Sequence, residues 1–255
     1  MATVKVLVLR AAGINCDMET AYAWEVAGAA PEQIHVNRLV EDPQRLEDFQ
    51  ILTIPGGFSY GDDIASGRIL ANQLTYRLGD GMHRFIDRGG LVLGICNGFQ
   101  VLVRMGLLPG ADCGVPATLT LNDSGRYEDR WVRVRTESDR CPFLRPGEVL
   151  HLPVAHAEGK IVVEGGAAGV AGLKAAGRVA LRYVAHDGGE PSYPENPNGS
   201  AGNIAGLTDA TGRVLGLMPH PERNIAPTHR PGWTADTSTE GDGVRLFRRA
   251  VAAIR

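Results

Sequence analysis

At 255 residues, with 44% hydrophobic and 22% charged positions and a formal net charge of −3, the chain has enough apolar material to bury a full core and lacks the basic footprint of a nucleic-acid or anionic-membrane binder. Its apolar runs are of strand length, which argues against a transmembrane span. The opening Thr3-Val4-Lys5-Val6-Leu7-Val8-Leu9 has none of the parts of a signal peptide, so a cytoplasmic protein is expected. In chain order, residues 4–9 read as a strand, 19–29 as a helix with Ala21, Trp24, Ala27 and Gly28 inward, and 33–37 as a second strand. Strand 51–54, helices over 69–78 and 82–88, strand 91–94 and a helix over 97–105 follow. That alternation predicts an α/β fold with a mostly parallel open sheet and helices on both faces. Between 118 and 218 the chain becomes strand-rich, with strands over 131–136, 149–152, 160–163, 178–184 and 214–218, and with the glycine-rich 165–172 read as a loop. A last helix over 243–254 sets Val244, Phe247, Val251 and Ile254 on one face. No repeat or low-complexity tract interrupts the chain, and residues 1–255 are expected to form one domain.

The segment Gly94-Ile95-Cys96-Asn97-Gly98 follows the apolar run Leu91-Val92-Leu93 and precedes a helical pattern, the layout of a nucleophile elbow. A strand that turns at once into a helix strains the turning residue and needs small neighbours. The helix dipole then favours the thiolate, the reactive form. A buried free thiol would fit the residue type equally well. Downstream, Met218-Pro219-His220-Pro221-Glu222 follows another apolar run. A cysteine nucleophile needs an imidazole base, and the base needs an orienting carboxylate; His220 and Glu222 supply both, with the prolines removing helix as an option. The third part is Ile51-Leu52-Thr53-Ile54-Pro55-Gly56-Gly57-Phe58. Bare backbone at Gly56 and Gly57 can approach a developing oxyanion closely, with the Asn97 N–H as second donor, although a plain Gly-Gly turn also satisfies this stretch. All three parts fall at the carboxyl ends of expected strands, where open α/β sheets build their sites.

With these residues in view, the chain resembles the class I (triad) glutamine amidotransferases, and within them the branch of glutaminase subunits of phosphoribosylformylglycinamidine synthase. The likeness runs through Gly13-Ile14-Asn15-Cys16-Asp17, Pro55-Gly56-Gly57-Phe58-Ser59-Tyr60-Gly61-Asp62, Gly94-Ile95-Cys96-Asn97-Gly98-Phe99-Gln100 and Gly106-Leu107-Leu108-Pro109-Gly110. It continues through Ala155-His156-Ala157-Glu158-Gly159, Asn196-Pro197-Asn198-Gly199-Ser200, Asn203-Ile204-Ala205-Gly206 and Met218-Pro219-His220-Pro221-Glu222-Arg223. It departs at Ala11-Ala12 before Gly13 and at Ala157, where the family has other residues, and the polar stretch 228–240 matches no motif. The resemblance implies a flavodoxin-like amidotransferase fold and catalysis by Cys96, His220 and Glu222. It further implies Gly56, Gly57, Phe58, Asn97 and Gln100 as oxyanion or substrate-binding residues. His156, Glu158, Asn196, Asn198 and Ser200 become candidates for the rim of the site or a partner contact. The reaction it implies is hydrolysis of L-glutamine, with ammonia passed to a large synthase subunit that makes formylglycinamide ribonucleotide into its amidine, with or without a small accessory subunit. No Gly-x-x-x-x-Gly-Lys loop is present, so ATP and magnesium are expected on the synthase partner and no cofactor in this chain.

Two alternatives stay open at this level. His156 and Glu158 repeat the x-His-x-Glu spacing and compete with the later pair. Among Cys16, Cys96, Cys113 and Cys141 no pair has C-x-x-C spacing, which argues against a metal site; Cys16 is the rival thiol, read as structural because the neighbouring Asp17 would raise its pKa. Other triad glutaminases, a γ-glutamyl peptidase on the same elbow, and a non-catalytic regulatory subunit are the competing functions.

Overall fold

Val6, Leu7, Val8 and Leu9 in the first strand, β1 (Lys5–Arg10), are all buried. Because successive strand residues point to opposite faces, β1 must be covered on both sides. The computed structural model, which describes residues 3–235 and 237–255, shows how. A nine-stranded sheet is formed by β1, β2 (Ala30–His35), β3 (Ile51–Ile54), β4 (Leu91–Ile95), β6 (Glu128–Thr136), β7 (Val149–His156), β9 (Val179–Val184), β10 (Ile204–Thr208) and β11 (Val214–Leu217), in the order β2-β1-β3-β4-β11-β10-β9-β6-β7. The pairings from β2 to β11 are parallel and those from β11 to β7 antiparallel. The parallel half is thus the α/β unit read from the alternation, and the strand-rich half extends the same sheet. A small antiparallel pair, β5 (Ala117–Thr120) with β8 (Lys160–Val163), stands apart.

Helices α1 (Asp17–Val26) and α6 (Val244–Ile254) pack together, Trp24 meeting Phe247 edge to face at 4.8 Å while its Nε1 donates to Thr53 Oγ1 of β3. Helices α3 (Arg68–Asp87) and α4 (Asn97–Arg104) form a second group, α4 lying on β3, β4 and β11. The two helices expected over 69–78 and 82–88 are one, α3. Leu70, Leu74, Leu78, Met82, Phe85 and Ile86 make an unbroken buried stripe, whose burial exceeds the cost of about 1 kcal/mol for each of Gly79 and Gly81.

The stretch 165–172, expected as a loop, contains most of a helix, α5 (Ala167–Ala175). Its alanines favour helix and Val170 and Leu173 anchor it, an outcome that glycine content alone concealed. α1 ends at Val26, so Ala27 is only part-buried and Gly28 is exposed, not inward as expected. The second strand starts at Ala30, ahead of the expected 33–37, and yields to a short helix, α2 (Val36–Glu41), started by His35 accepting from the Asn37 N–H. β7 runs four residues beyond the expected 149–152, as far as His156. The stretch 228–240 is entered by one 3-10 turn, Pro227–His229, and holds another, Trp233–Ala235; Asp236 lies outside the described residues. No helix among the described residues is long and apolar enough to cross a membrane.

Candidate active site

β4 and β11 are parallel neighbours in register Gly94↔Gly216 and Ile95↔Leu217, so their carboxyl ends are level. Cys96 follows one end and its N–H donates to Leu217 O at 2.8 Å; the Met218-Pro219-His220 run leaves the other. Cys96 sits at φ 50 and ψ −106, a conformation rare for a residue with a side chain, and α4 begins at the next residue. The strained turn is held because α4 packs directly on β3: a Cβ on Gly98 would lie 1.9 Å from Ile54 O. The strand–turn–helix layout read from the sequence is therefore present, and it presents the thiol at the sheet edge.

His220 is fixed from three sides. Its N–H donates to Pro153 O at 2.8 Å, a 3-10 turn over Pro221–Arg223 follows, and its Nδ1 meets Glu222 Oε1 at 2.6 Å with both residues buried. Burial opposes a charge on the ring, but the Glu222 carboxylate and the Cys96 sulfur hold its pKa well above the usual histidine value. With Nδ1 given to Glu222, the ring still interacts with the Cys96 and Cys16 sulfurs, and Cys16, Cys96, His220 and Arg223 line one pocket. A thiol beside a carboxylate-oriented imidazole can form an ion pair, attack an acyl carbon and have the leaving group protonated by the same ring.

Gly56 and Gly57 follow β3, the next strand along. A Cβ on Gly56 would fall 2.8 Å from His220 Cε1, so Gly56 gives the imidazole its clearance. Gly57, at φ +139, adopts a backbone that side chains resist, and a Cβ there would meet Asn15 N and Gly13 O at 2.7 Å. Gly57 lines the pocket. Phe58 is exposed and lines the pocket, but its N–H is committed to Gly13 O at 2.9 Å. The Asn97 side chain is a hub: Oδ1 accepts from the Ser59 N–H at 3.1 Å, and Nδ2 donates to Asp62 Oδ1 at 2.9 Å and to Gln100 Oε1 at 3.0 Å. Gln100 in turn donates to Glu158 O. Asp62, whose carboxyl burial pushes upward, also accepts from the Gly67 N–H. One amide thus ties the elbow to the loop after the glycine pair.

His156 is buried in the pocket wall, and burial followed by the field of His220 brings its pKa down to about 4, leaving it neutral. Its Nδ1 bonds Asn122 Oδ1 at 3.1 Å, not Glu158, so the second x-His-x-Glu pair is not assembled as a base with its orienter. Asn122 Nδ2 donates to two carbonyls, which leaves its oxygen as acceptor, so His156 carries its proton on Nδ1. Asn196, Asn198 and Ser200, considered for a rim or partner contact, are buried and do not line the pocket. Instead Asn198 Nδ2 donates to Gly159 O at 2.9 Å and to Tyr183 Oη, and Ser200 Oγ accepts from Ile161 N, bracing the 155–159 segment from behind. Glu158 lines the pocket.

Sequence did not assign Asn15, Tyr127, Ala155 or Arg223 to the pocket, and it set Cys16, the most consequential of the lining residues, aside as structural. Cys16 was read as structural, but it lies against His220 and receives Arg223 Nη2 at 3.2 Å. Its pKa is raised, as expected, yet by burial; His220 and Arg223 oppose that, and Asp17 is instead paired with Arg10 at 2.7 Å. The available signal was position, a loop at the end of β1, one strand from β3.

The chain matches the CobB/CobQ-like glutamine amidotransferase domain over residues 3–253. It is 46% identical to the phosphoribosylformylglycinamidine synthase subunit PurQ of Dehalococcoides mccartyi, covering 98% of each chain. It is 42% identical to the PurQ subunit of Methanococcus maripaludis over 89% of this chain and 86% of that one. Among solved structures it superposes on a chain of PurLQS from Thermotoga maritima with a TM-score of 0.75, at 29% identity and full coverage of both.

Proposed function

This chain belongs to the CobB/CobQ-like glutamine amidotransferase family, and we propose that it is the glutaminase subunit of a phosphoribosylformylglycinamidine synthase, hydrolysing L-glutamine to glutamate and ammonia. The observation that carries the reading is the convergence of Cys96, His220 and Glu222 at the level ends of β4 and β11 in a chain so similar throughout to PurQ subunits.

In the proposed mechanism the Cys96 sulfur attacks the side-chain carboxamide carbon of glutamine. The Gly57 and Asn97 amides face the oxygen on which negative charge develops. His220, held in one tautomer by Glu222, gives its proton to the departing ammonia and then takes one from water, which cleaves the γ-glutamyl thioester. Neutral His156, fixed by Asn122, adds no charge to compete with the ion pair.

The ammonia is proposed to pass to a large synthase subunit that brings ATP, magnesium and formylglycinamide ribonucleotide, with or without a small accessory subunit. This chain is proposed to hold no cofactor, to act as one domain and to work in the cytoplasm, where such a pathway draws its glutamine. The test is glutamate release by the chain mixed with a synthase subunit and its substrates. Cys96→Ala should abolish glutamine-dependent amidine formation while ammonium salts still support it. Glutamine-dependent turnover surviving in that variant would sink the assignment.

A further inference from the structure

Cys16, His220 and Glu222 come from two distant segments, yet Cys16 Sγ, a ring nitrogen of His220 and a carboxylate oxygen of Glu222 lie within 4.8 Å of one another, all buried. A further atom of this group, Glu222 Oε2, is buried with no hydrogen-bond partner among the described residues. The glutaminase reaction uses one imidazole nitrogen and one thiol; it does not use the second thiol. We propose that Cys16, His220 and Glu222 form a binding site for a thiophilic divalent cation, zinc fitting best, whose occupation withdraws His220 from Cys96 and shuts the glutaminase off.

The donor set selects the cation. One sulfur, one imidazole nitrogen and one carboxylate oxygen suit zinc, whereas magnesium and calcium require oxygen ligands. Zinc–ligand bonds of about 2.0–2.3 Å hold ligand atoms about 3.5 Å apart in a tetrahedron, so atoms already inside 4.8 Å need shifts of only about an ångström to reach that spacing. A thiolate and a carboxylate neutralise the two charges of the cation, and water takes the fourth position. On binding, the Cys16 S–H bond breaks as an S–metal bond forms, the ligating nitrogen of His220 gives up its proton as its N–metal bond forms, and both protons leave to solvent. Arg223 Nη2 must release the sulfur, while its Nε keeps Glu19 at 2.9 Å. The absence of C-x-x-C spacing did not reveal this site because its ligands meet only when the end of β1 and the end of β11 are brought to one edge of the sheet.

Cobalt(II) titration of the full chain tests the proposal without recourse to activity, and so independently of the glutaminase reading. Wild type and Cys96→Ser should each bind one equivalent with a thiolate-to-cobalt charge-transfer band, and competition with a chromogenic chelator should show zinc held at the same site. Cys16→Ser, with Cys16→Ala as the second variant should the first misfold, should lose the band and at least tenfold in zinc affinity. Zinc should inhibit wild-type glutamine hydrolysis reversibly by chelator, and Cys16→Ser should need at least tenfold more. No band in the wild type, or a band that survives in both Cys16 variants and vanishes in Cys96→Ser, would overturn it.

Discussion

Glu222 bonds His220 at 2.6 Å in a buried setting and opposes the effect of that burial, which makes its charge the feature that keeps the ring ready to be an imidazolium. Glu222→Gln preserves shape but removes that charge, and kcat for glutamine should fall by roughly 10³–10⁴, the scale seen when a triad carboxylate becomes an amide. Steady-state glutamate release by both proteins checks this. His156 gives a prediction of opposite character, on stability. Its folded pKa of about 4 lies below the ordinary 6.5, so unfolding takes up a proton at lower pH. Stability from this group is therefore intact above about pH 6.5 and lost progressively down to about pH 4. Between about pH 7 and pH 5 the loss should be about 2 kcal/mol, and His156→Gln should lessen it, as urea unfolding at the two pH values will show. That Cys96, His220 and Glu222 come together was legible because each stands in a short segment after an apolar run with glycine or proline close by. Cys16 was not, because a thiol's neighbours in space are set by strand order and not by its neighbours in sequence.

The strand–turn–helix element is built on contact. Gly98 leaves α4 resting on Ile54 O, and Gly98→Ala, with its Cβ 1.9 Å from that oxygen, should destabilise the protein by about 1–3 kcal/mol and cut activity by moving Cys96. The contrast is Gly79 in α3, where a Cβ meets nothing within 4 Å. There Gly79→Ala should stabilise by about 0.4–1 kcal/mol and leave glutamine hydrolysis alone; thermal unfolding and activity of the two variants separate the cases. The same two glycines mark what sequence can convey about elements. Gly98 sits in a motif whose spacing announces a tight turn. Gly79 sits inside a stripe of leucines whose continuity decides the outcome, so reading a break there divided one helix into two. In α5 the error was of the same kind: alanines favoured helix while glycines suggested a loop.

Across the whole molecule, catalysis depends on adjacency in one sheet. β1, β3, β4 and β11 stand side by side, and each sends the segment after its carboxyl end to the pocket: Asn15 and Cys16, Gly57, Cys96, and His220. The alternation of strands and helices foretold a parallel sheet; the placement of β11, after a long antiparallel excursion, beside β4 could not be read from local pattern. The backbone at Gly56-Gly57 can shift a peptide N–H at little steric cost, and Asn97 couples that loop to the elbow. A docked synthase subunit carrying its nucleotide and ribonucleotide substrate should therefore raise kcat for glutamine by more than tenfold, which needs only about 1.4 kcal/mol of differential binding. Equal rates with and without the partner would leave an independent glutaminase.

Two thiols share one imidazole in this pocket, so the sharpest question is which of them carries the acyl group. The chain should be incubated with a glutamine analogue bearing an electrophilic diazoketone in place of the carboxamide, then digested and its peptides mapped by mass. One equivalent of label on Cys96, absent in Glu222→Gln over the same interval and never found on Cys16, is the predicted result. Label on Cys16, or glutamine turnover from a protein whose Cys96 stays unlabelled, would contradict it.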